Sequence, residues 1–239
     1  MKKDQIKIFC DFDGTITTKD VGENMFLEFG DSDKAYNIFN RWVRKEINSA
    51  QEWTELLGLV KDLKETDFNK FLSTIEIRYG FVEFVQFCED NMIELTILSD
   101  GMDYYIKKIF ANNNLNNLKY FANSLIFNRN GHTVTFPYTD EECKECANCK
   151  RNHIIENSSD SDITIYIGDG YSDTCPIQYV DYIFAQKTLL KFCEKERISY
   201  LPFKNFKDII ARIGNLLENG KIKKRHQAEL KRKVVYAQG

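Results

Sequence analysis

Three short apolar runs in this chain each stop abruptly at acid, serine or glycine. Ile6-Lys7-Ile8-Phe9-Cys10 runs into Asp11, Ile93-Glu94-Leu95-Thr96-Ile97-Leu98 into Ser99-Asp100-Gly101, and Ile163-Thr164-Ile165-Tyr166-Ile167 into Gly168-Asp169-Gly170. Runs of this length, rich in β-branched residues and lacking strict alternation, read as strands buried on both faces. A fourth, Tyr182-Ile183-Phe184-Ala185, follows after a short helix, and residues 121–136 alternate like a hairpin turning at Asn130-Gly131. Helical spacing fills 21–89, with Phe26, Phe29, Ala35, Ile38, Phe39, Trp42 and then Trp53, Leu56, Leu57, Val60, and a further helix runs from Tyr104 to about Asn112. Strands that each lead into a helix predict an α/β fold, a doubly wound parallel sheet covered on both faces. Such sheets bind ligands beyond the carboxyl ends of their strands, where Asp, Ser and Gly are delivered here.

The helical stretch between the first two strands is far longer than one crossover needs, so an inserted cap is expected. The division is then a catalytic core of residues 1–19 and 91–218, a helical cap of 20–90, and a basic C-terminal tail of 219–239. That tail carries seven Lys/Arg against one acid and reads as a solvated terminal helix. The whole chain has 239 residues, with 33 basic and 36 acidic side chains, a net charge of −3. That balance argues against nucleic acid as a partner. No run approaches the ~18 apolar residues of a membrane span, and the start, Met1 to Ile6, lacks a signal-peptide pattern, so a cytoplasmic protein with no membrane partner is expected. Nothing in the sequence specifies an oligomeric state.

Asp11-Phe12-Asp13-Gly14-Thr15 sets two carboxylates two residues apart. On a continued strand they would face opposite sides, so the chain must turn after Asp11, and Gly14 permits it. Two carboxylates in one pocket repel, which calls for a cation, and Mg²⁺ is the hard ion suited to carboxylate and carbonyl oxygens. Asp169 is positioned to complete a metal site. Asp173, four residues on, is placed to orient a ligand or a lysine. Ser99 offers a hydroxyl, the amides of Asp100 and Gly101 suggest a phosphate cradle at a helix start, and Lys150 supplies positive charge.

In this order, these four motifs resemble the haloacid dehalogenase superfamily of phosphotransferases, over about Ile6 to Ile210. The resemblance implies a Rossmann-like core, Asp11 as a nucleophile forming an aspartyl-phosphate, and Asp13 as general acid and then base. It also implies Mg²⁺ on Asp11, the Asp13 carbonyl and Asp169, with Ser99 and Lys150 on the phosphoryl group and a small phosphorylated metabolite as substrate. Dehalogenases in that superfamily lack the second acid, whereas phosphatases and phosphomutases keep it. The insert looks like the cap of the phosphoserine-phosphatase-like branch. The segments 182–185, 189–190 and 200–206, with the cysteine-rich approach to Lys150, are similar to its methionine-salvage phosphatases. Phosphoserine, phosphocholine and phosphoethanolamine phosphatases are the neighbouring alternatives. Asp20 stands where phosphoserine phosphatases carry a glutamate for the substrate's amino group, which weakens the phosphoserine reading.

Cys143, Cys146, Cys149 and His153 form C-x2-C-x2-C-x3-H, a candidate Zn²⁺ set. A zinc-stabilised binding module without catalysis is the alternative from another class. The spacing is tight for one tetrahedron, and a reduced loop beside the site is the plainer reading. Trp42 and Trp53 are expected to pack the cap rather than meet a substrate.

Overall fold

The computed structural model describes residues 6–129, 131–220 and 222–238. Its spine comprises β1 (Ile6–Asp11), β2 (Glu94–Met102), β3 (Lys119–Asn128), β4 (Gly131–Thr135), β5 (Ile163–Gly168), β6 (Tyr182–Ala185) and β7 (Leu201–Pro202), in the order β4-β3-β2-β1-β5-β6-β7. Every pairing is parallel except β3 with β4. The expected hairpin is therefore present, and its first strand also joins the parallel sheet beside β2. Asn130 of its turn lies outside the described residues, as do Met1–Gln5, on which the cytoplasmic reading rested. Two-residue β7 escaped the sequence reading because a run that short carries no periodicity.

Both faces of the sheet are buried. Ile6, Ile8 and Cys10 belong to one apolar cluster while Phe9, between them, belongs to another. Ile165 and Ile167 alternate with Tyr166 in the same way. Strand β1 is central, with β2 and β3 wound to one side and β5 to β7 to the other, so the winding reverses between β1 and β5. A crevice opens at such a reversal, beyond the strand ends.

The segment after β1 forms α1 (Val21–Phe29), α2 (Ser32–Val43), α3 (Ser49–Gly58), α4 (Glu65–Leu72) and α5 (Phe81–Asp90). Side chains of Asp20, Asp31 and Asn48 cap the first three, Asn48 in a reciprocal capping box with Gln51. Phe26 and Trp53 join α1 to α3 with ring centroids 5.6 Å apart. Phe81 and Phe84 of α5 instead pack on Phe206, at 4.9 and 5.2 Å. Phe206 opens α9 (Phe206–Asn219), so the last helix of the 20–90 stretch flanks the sheet, and α1–α3 cover the crevice.

The remaining helices are α6 (Asp103–Asn112), α7 (Lys150–Glu156), α8 (Lys187–Lys195) and α10 (His226–Gln238). The terminal segment is a helix, as expected, but it is docked rather than merely solvated. Arg232 is 1% exposed and donates to the Tyr179 carbonyl at 2.6 Å, with Thr164 Oγ1 at 3.3 Å and Asp181 Oδ1 at 3.4 Å. The Arg225 amide donates to the same Asp181 oxygen at 3.0 Å. A buried charge stripped of its partner is costly. Arg232→Ala, which removes the cation beside buried Asp181, is expected to lower unfolding stability by about 3 kcal/mol in urea denaturation; a loss under about 1 kcal/mol would mark α10 as peripheral.

Candidate active site

Beyond Asp11 the strand breaks into a tight turn. The Phe12 carbonyl accepts from the amides of Thr15, Ile16 and Thr17 at 3.3, 2.9 and 3.1 Å. Gly14 takes φ +74°, and a Cβ there would run into the Asp169 carboxylate. Arg78 clamps the turn from outside, donating to the carbonyls of Thr15 at 2.8 Å and Gly14 at 2.5 Å. The required turn is thus made, and Asp11 and Asp13 line the same cavity of about 450 Å³, together with Asp100, Gly101 and Asp169.

Asp11 is 4% exposed, and its Oδ1 accepts from Lys150 Nζ at 2.6 Å. Lys150, first residue of α7 and 2% exposed, also donates to Asp173 Oδ1 at 2.8 Å and Ser172 Oγ at 3.1 Å. Burial works against the Lys150 charge, yet Asp11 and Asp173 hold its pKa well above the usual value. Burial, then repulsion from Asp173, pushes the Asp11 carboxyl up against the pull of Lys150. Asp173 is fully engaged, since Tyr166 OH donates to Oδ1 at 2.6 Å and the amides of Asp169 and Gly170 donate to Oδ2 at 3.0 Å each.

Asp13 takes three hydrogen bonds: Tyr105 OH at 2.7 Å and Ser99 Oγ at 3.0 Å on Oδ2, and the Val21 amide at 3.0 Å on Oδ1. Burial nevertheless raises its pKa. Asp169 accepts from Thr15 Oγ1 at 2.9 Å and from Lys187 Nζ at 2.8 Å; burial and then Asp173 raise it too. Tyr105, Thr15, Arg78 and Lys187 carried no motif signal, because each acts through a partner distant in sequence.

Asp11, Asp169 and Asp173 place carboxylate oxygens within 4.8 Å of one another. With Asp173 committed to Lys150 and its amides, Asp11 and Asp169 are the pair facing the cavity. Hard oxygen donors whose charges repel fit a Mg²⁺ ion.

At β2 the expectation needs correcting. The strand continues through Ser99, Asp100 and Gly101 to Met102, and α6 begins only at Asp103, so no helix start lies at Asp100–Gly101. The Gly101 amide donates to Ser99 Oγ at 2.9 Å. Asp100 braces the cap: Ser49 Oγ donates to its Oδ2, and the Asn148 amide to its Oδ1 at 2.7 Å. A local pattern cannot show that a polar stretch prolongs a strand beside an irregular register, as β2 does against β3.

The zinc set does not converge either. His153 Nε2 lies 2.6 Å from Asn148 Oδ1, and its ring stacks on Phe121 at 4.0 Å. Among the described residues, Asp11, Asp169 and Asp173 form the three-ligand cluster, and Cys143, Cys146, Cys149 and His153 form none. The loop's thiols are free, Cys143 exposed and Cys149 buried. Its visible work is mechanical, since Asn148 Nδ2 donates to the Ser99 and Phe121 carbonyls at 2.7 and 3.0 Å and so fixes the approach to Lys150. Trp53 packs the cap against Phe26, as expected, and both Trp42 and Trp53 also line the cavity.

The chain belongs to the family described as Putative Phosphatase, whose model matches residues 6–195, and it is a phosphoric monoester hydrolase. A 2-hydroxy-3-keto-5-methylthiopentenyl-1-phosphate phosphatase of Bacillus mycoides is 33% identical over 216 residues, covering 89% of this chain and 98% of that one. The enzyme of the same name from Bacillus cereus is 32% identical with the same coverage. In fold, a HAD family hydrolase of Salmonella enterica serovar Typhi superimposes with TM-score 0.69 at 17% identity, covering 85% of this chain and 69% of that one. A phosphoserine phosphatase bearing a phospho-aspartyl intermediate analogue gives 0.66 at 20%, covering 87% and 98%. Among the described residues no helix is long and apolar enough to cross a membrane.

Burial, then Lys119, pushes the His153 pKa down to about 4. The unfolded chain takes this proton near pH ~6.5, so stability falls as pH drops from there towards 4 and is unaffected above. Between pH 7.5 and 5, wild-type protein should lose more stability in urea titrations than His153→Gln; parallel losses would show that His153 is not buried neutral.

Proposed function

We propose that the chain hydrolyses 2-hydroxy-3-keto-5-methylthiopentenyl-1-phosphate, a methionine-salvage step, through an aspartyl-phosphate on Asp11. The observation that carries the mechanism is the shared cavity, in which Asp11 and Asp13 face one space with Lys150 behind Asp11. The relatives named above, which align over nearly their whole length, support this choice of substrate.

With Oδ1 held by Lys150, the other Asp11 oxygen is the one turned to attack phosphorus, forming the Asp11–phosphoryl bond as the ester P–O bond breaks. Asp13, its pKa raised, is suited to carry the proton that the leaving alkoxide takes up. It then takes a proton from the water that attacks phosphorus, releasing inorganic phosphate and restoring the Asp11 carboxylate. Lys150 and the Ser99 hydroxyl, which donate to Asp11 and Asp13 in the free site, would turn part of that capacity to phosphoryl oxygens, whose spread charge needs fixed partners. Asp173, Tyr166 and Ser172 keep Lys150 aimed. Asp11, Asp169 and the Asp13 carbonyl would hold Mg²⁺, which neutralises phosphoryl charge when bound.

Phosphate release should require Mg²⁺ and stop with EDTA. Asp11→Asn should fall by at least about 10³-fold, losing its nucleophile, and Asp13→Asn by about 10²- to 10⁴-fold. An Asp11→Asn protein that keeps its turnover would refute the mechanism.

A further inference from the structure

The wall of the cavity opposite the phosphoryl-binding carboxylates is made by the cap. Its apolar part is Phe26, Phe39, Trp42, Trp53 and Leu56. Its charged side chains are all acidic, Asp20, Glu23 and Glu52, with Asp100 of β2 beside them. Among the described residues lining the cavity the only basic side chain is Lys187, and its ammonium is drawn to Asp169, at the phosphoryl end.

Three of these acids are accounted for. The Asp20 carboxylate caps α1, accepting from the Glu23 amide at 2.8 Å; Asp100 is held by Ser49 and Asn148; Glu23 is exposed at the rim. Glu52 differs. It is 7% exposed, lines the cavity, and its carboxyl has no hydrogen-bond partner among the described residues. Its place is fixed, because Ser49, three residues earlier on α3, bonds Asp100 through its hydroxyl and the Glu145 carbonyl through its amide at 3.1 Å. A carboxyl more than nine-tenths buried yet open to the cavity is a place for a ligand to bond.

We propose that Glu52 is a specificity-determining residue, which donates a hydrogen bond from its carboxylic acid to a carbonyl or hydroxyl oxygen near the ester of an uncharged leaving group. The aromatic wall takes the apolar remainder of that group. Leaving groups that carry a carboxylate or a second phosphate are disfavoured, since the cap wall offers no base to pair them. Burial, followed by repulsion from Asp100 and Asp20, pushes the Glu52 pKa up to about 9, so the acid is neutral and a donor near pH 7. Burial, then Asp13, pushes Asp20 up to about 8 in the same direction. The inference rests on the phosphatase reading and narrows its substrate to an oxygenated, uncharged alcohol.

The test compares kcat/KM for dihydroxyacetone phosphate, n-propyl phosphate, phosphoethanolamine and phosphoserine, with Mg²⁺ supplied. It uses wild type, Glu52→Gln, which keeps a donor, and Glu52→Met, which fills the same space without one. Wild type should prefer dihydroxyacetone phosphate to phosphoserine by about 10²-fold or more. On dihydroxyacetone phosphate, Glu52→Gln should stay within about threefold of wild type while Glu52→Met loses about tenfold or more. On n-propyl phosphate, which has no oxygen to read, both variants should match wild type. Equal losses for Glu52→Met on both esters would overturn the proposal. So would phosphoethanolamine as the best substrate with Glu52→Gln impaired on it, which would make the pocket an ammonium site. Absence of Asp11-dependent turnover on every ester would instead sink the phosphatase mechanism itself.

Discussion

One ammonium, Lys150, holds two buried carboxylates together at the centre of this molecule, and the rest of the site is arranged around it. Unpaired, Asp11 and Asp173 would repel in a medium that screens poorly. Lys150 resolves the conflict by bonding one oxygen of each. That leaves Asp11 with an oxygen facing the cavity, and leaves Asp173 with none, because Tyr166 and two backbone amides take its remaining capacity. Two aspartates with similar burial thus acquire different roles, one facing a ligand and one aiming a lysine. Helix α7 and the cysteine-rich loop exist at this point in the fold to carry the ammonium in, and Asn148 locks that delivery to β2 and β3.

The cap shares one apolar cluster with the core, Phe68 of α4 stacking on Tyr104 of α6, and polar bonds tie it to this centre. Ser49 reaches Asp100, and Val21 reaches Asp13 through its amide. Both contacts fall at helix starts, where spare N–H groups and capping side chains are available. The helices that line the cavity therefore register directly against the end of β2 and the acid proposed to protonate the leaving group. This arrangement lets leaving-group selection and proton transfer share one short frame.

Much of the fold was legible because burial on both faces demands continuous apolar strands, and because catalysis places acids where those strands end. Asp11, Asp13, Lys150, Asp169 and Asp173 come together as their order along the chain implied. What the sequence hid has two physical origins. Some features depend on tertiary register: β2 running on through Gly101, two-residue β7, and the docking of α10 through Arg232. Others depend on which way a side chain faces. His153 reads as a ligand by spacing yet is stacked on Phe121, while Trp42, Trp53 and Glu52 read as ordinary helix positions yet line the cavity.

The central claim is that Asp11 carries the phosphoryl group in turnover. Quenching the Mg²⁺-loaded enzyme during steady-state hydrolysis, reducing with borohydride and sequencing the tryptic peptides by mass spectrometry tests it directly. An acyl phosphate at position 11 is reduced, so homoserine should appear there and nowhere else, and only when substrate is present. Rapid turnover with Asp11 recovered unmodified, or with the reduced residue elsewhere, would contradict the account.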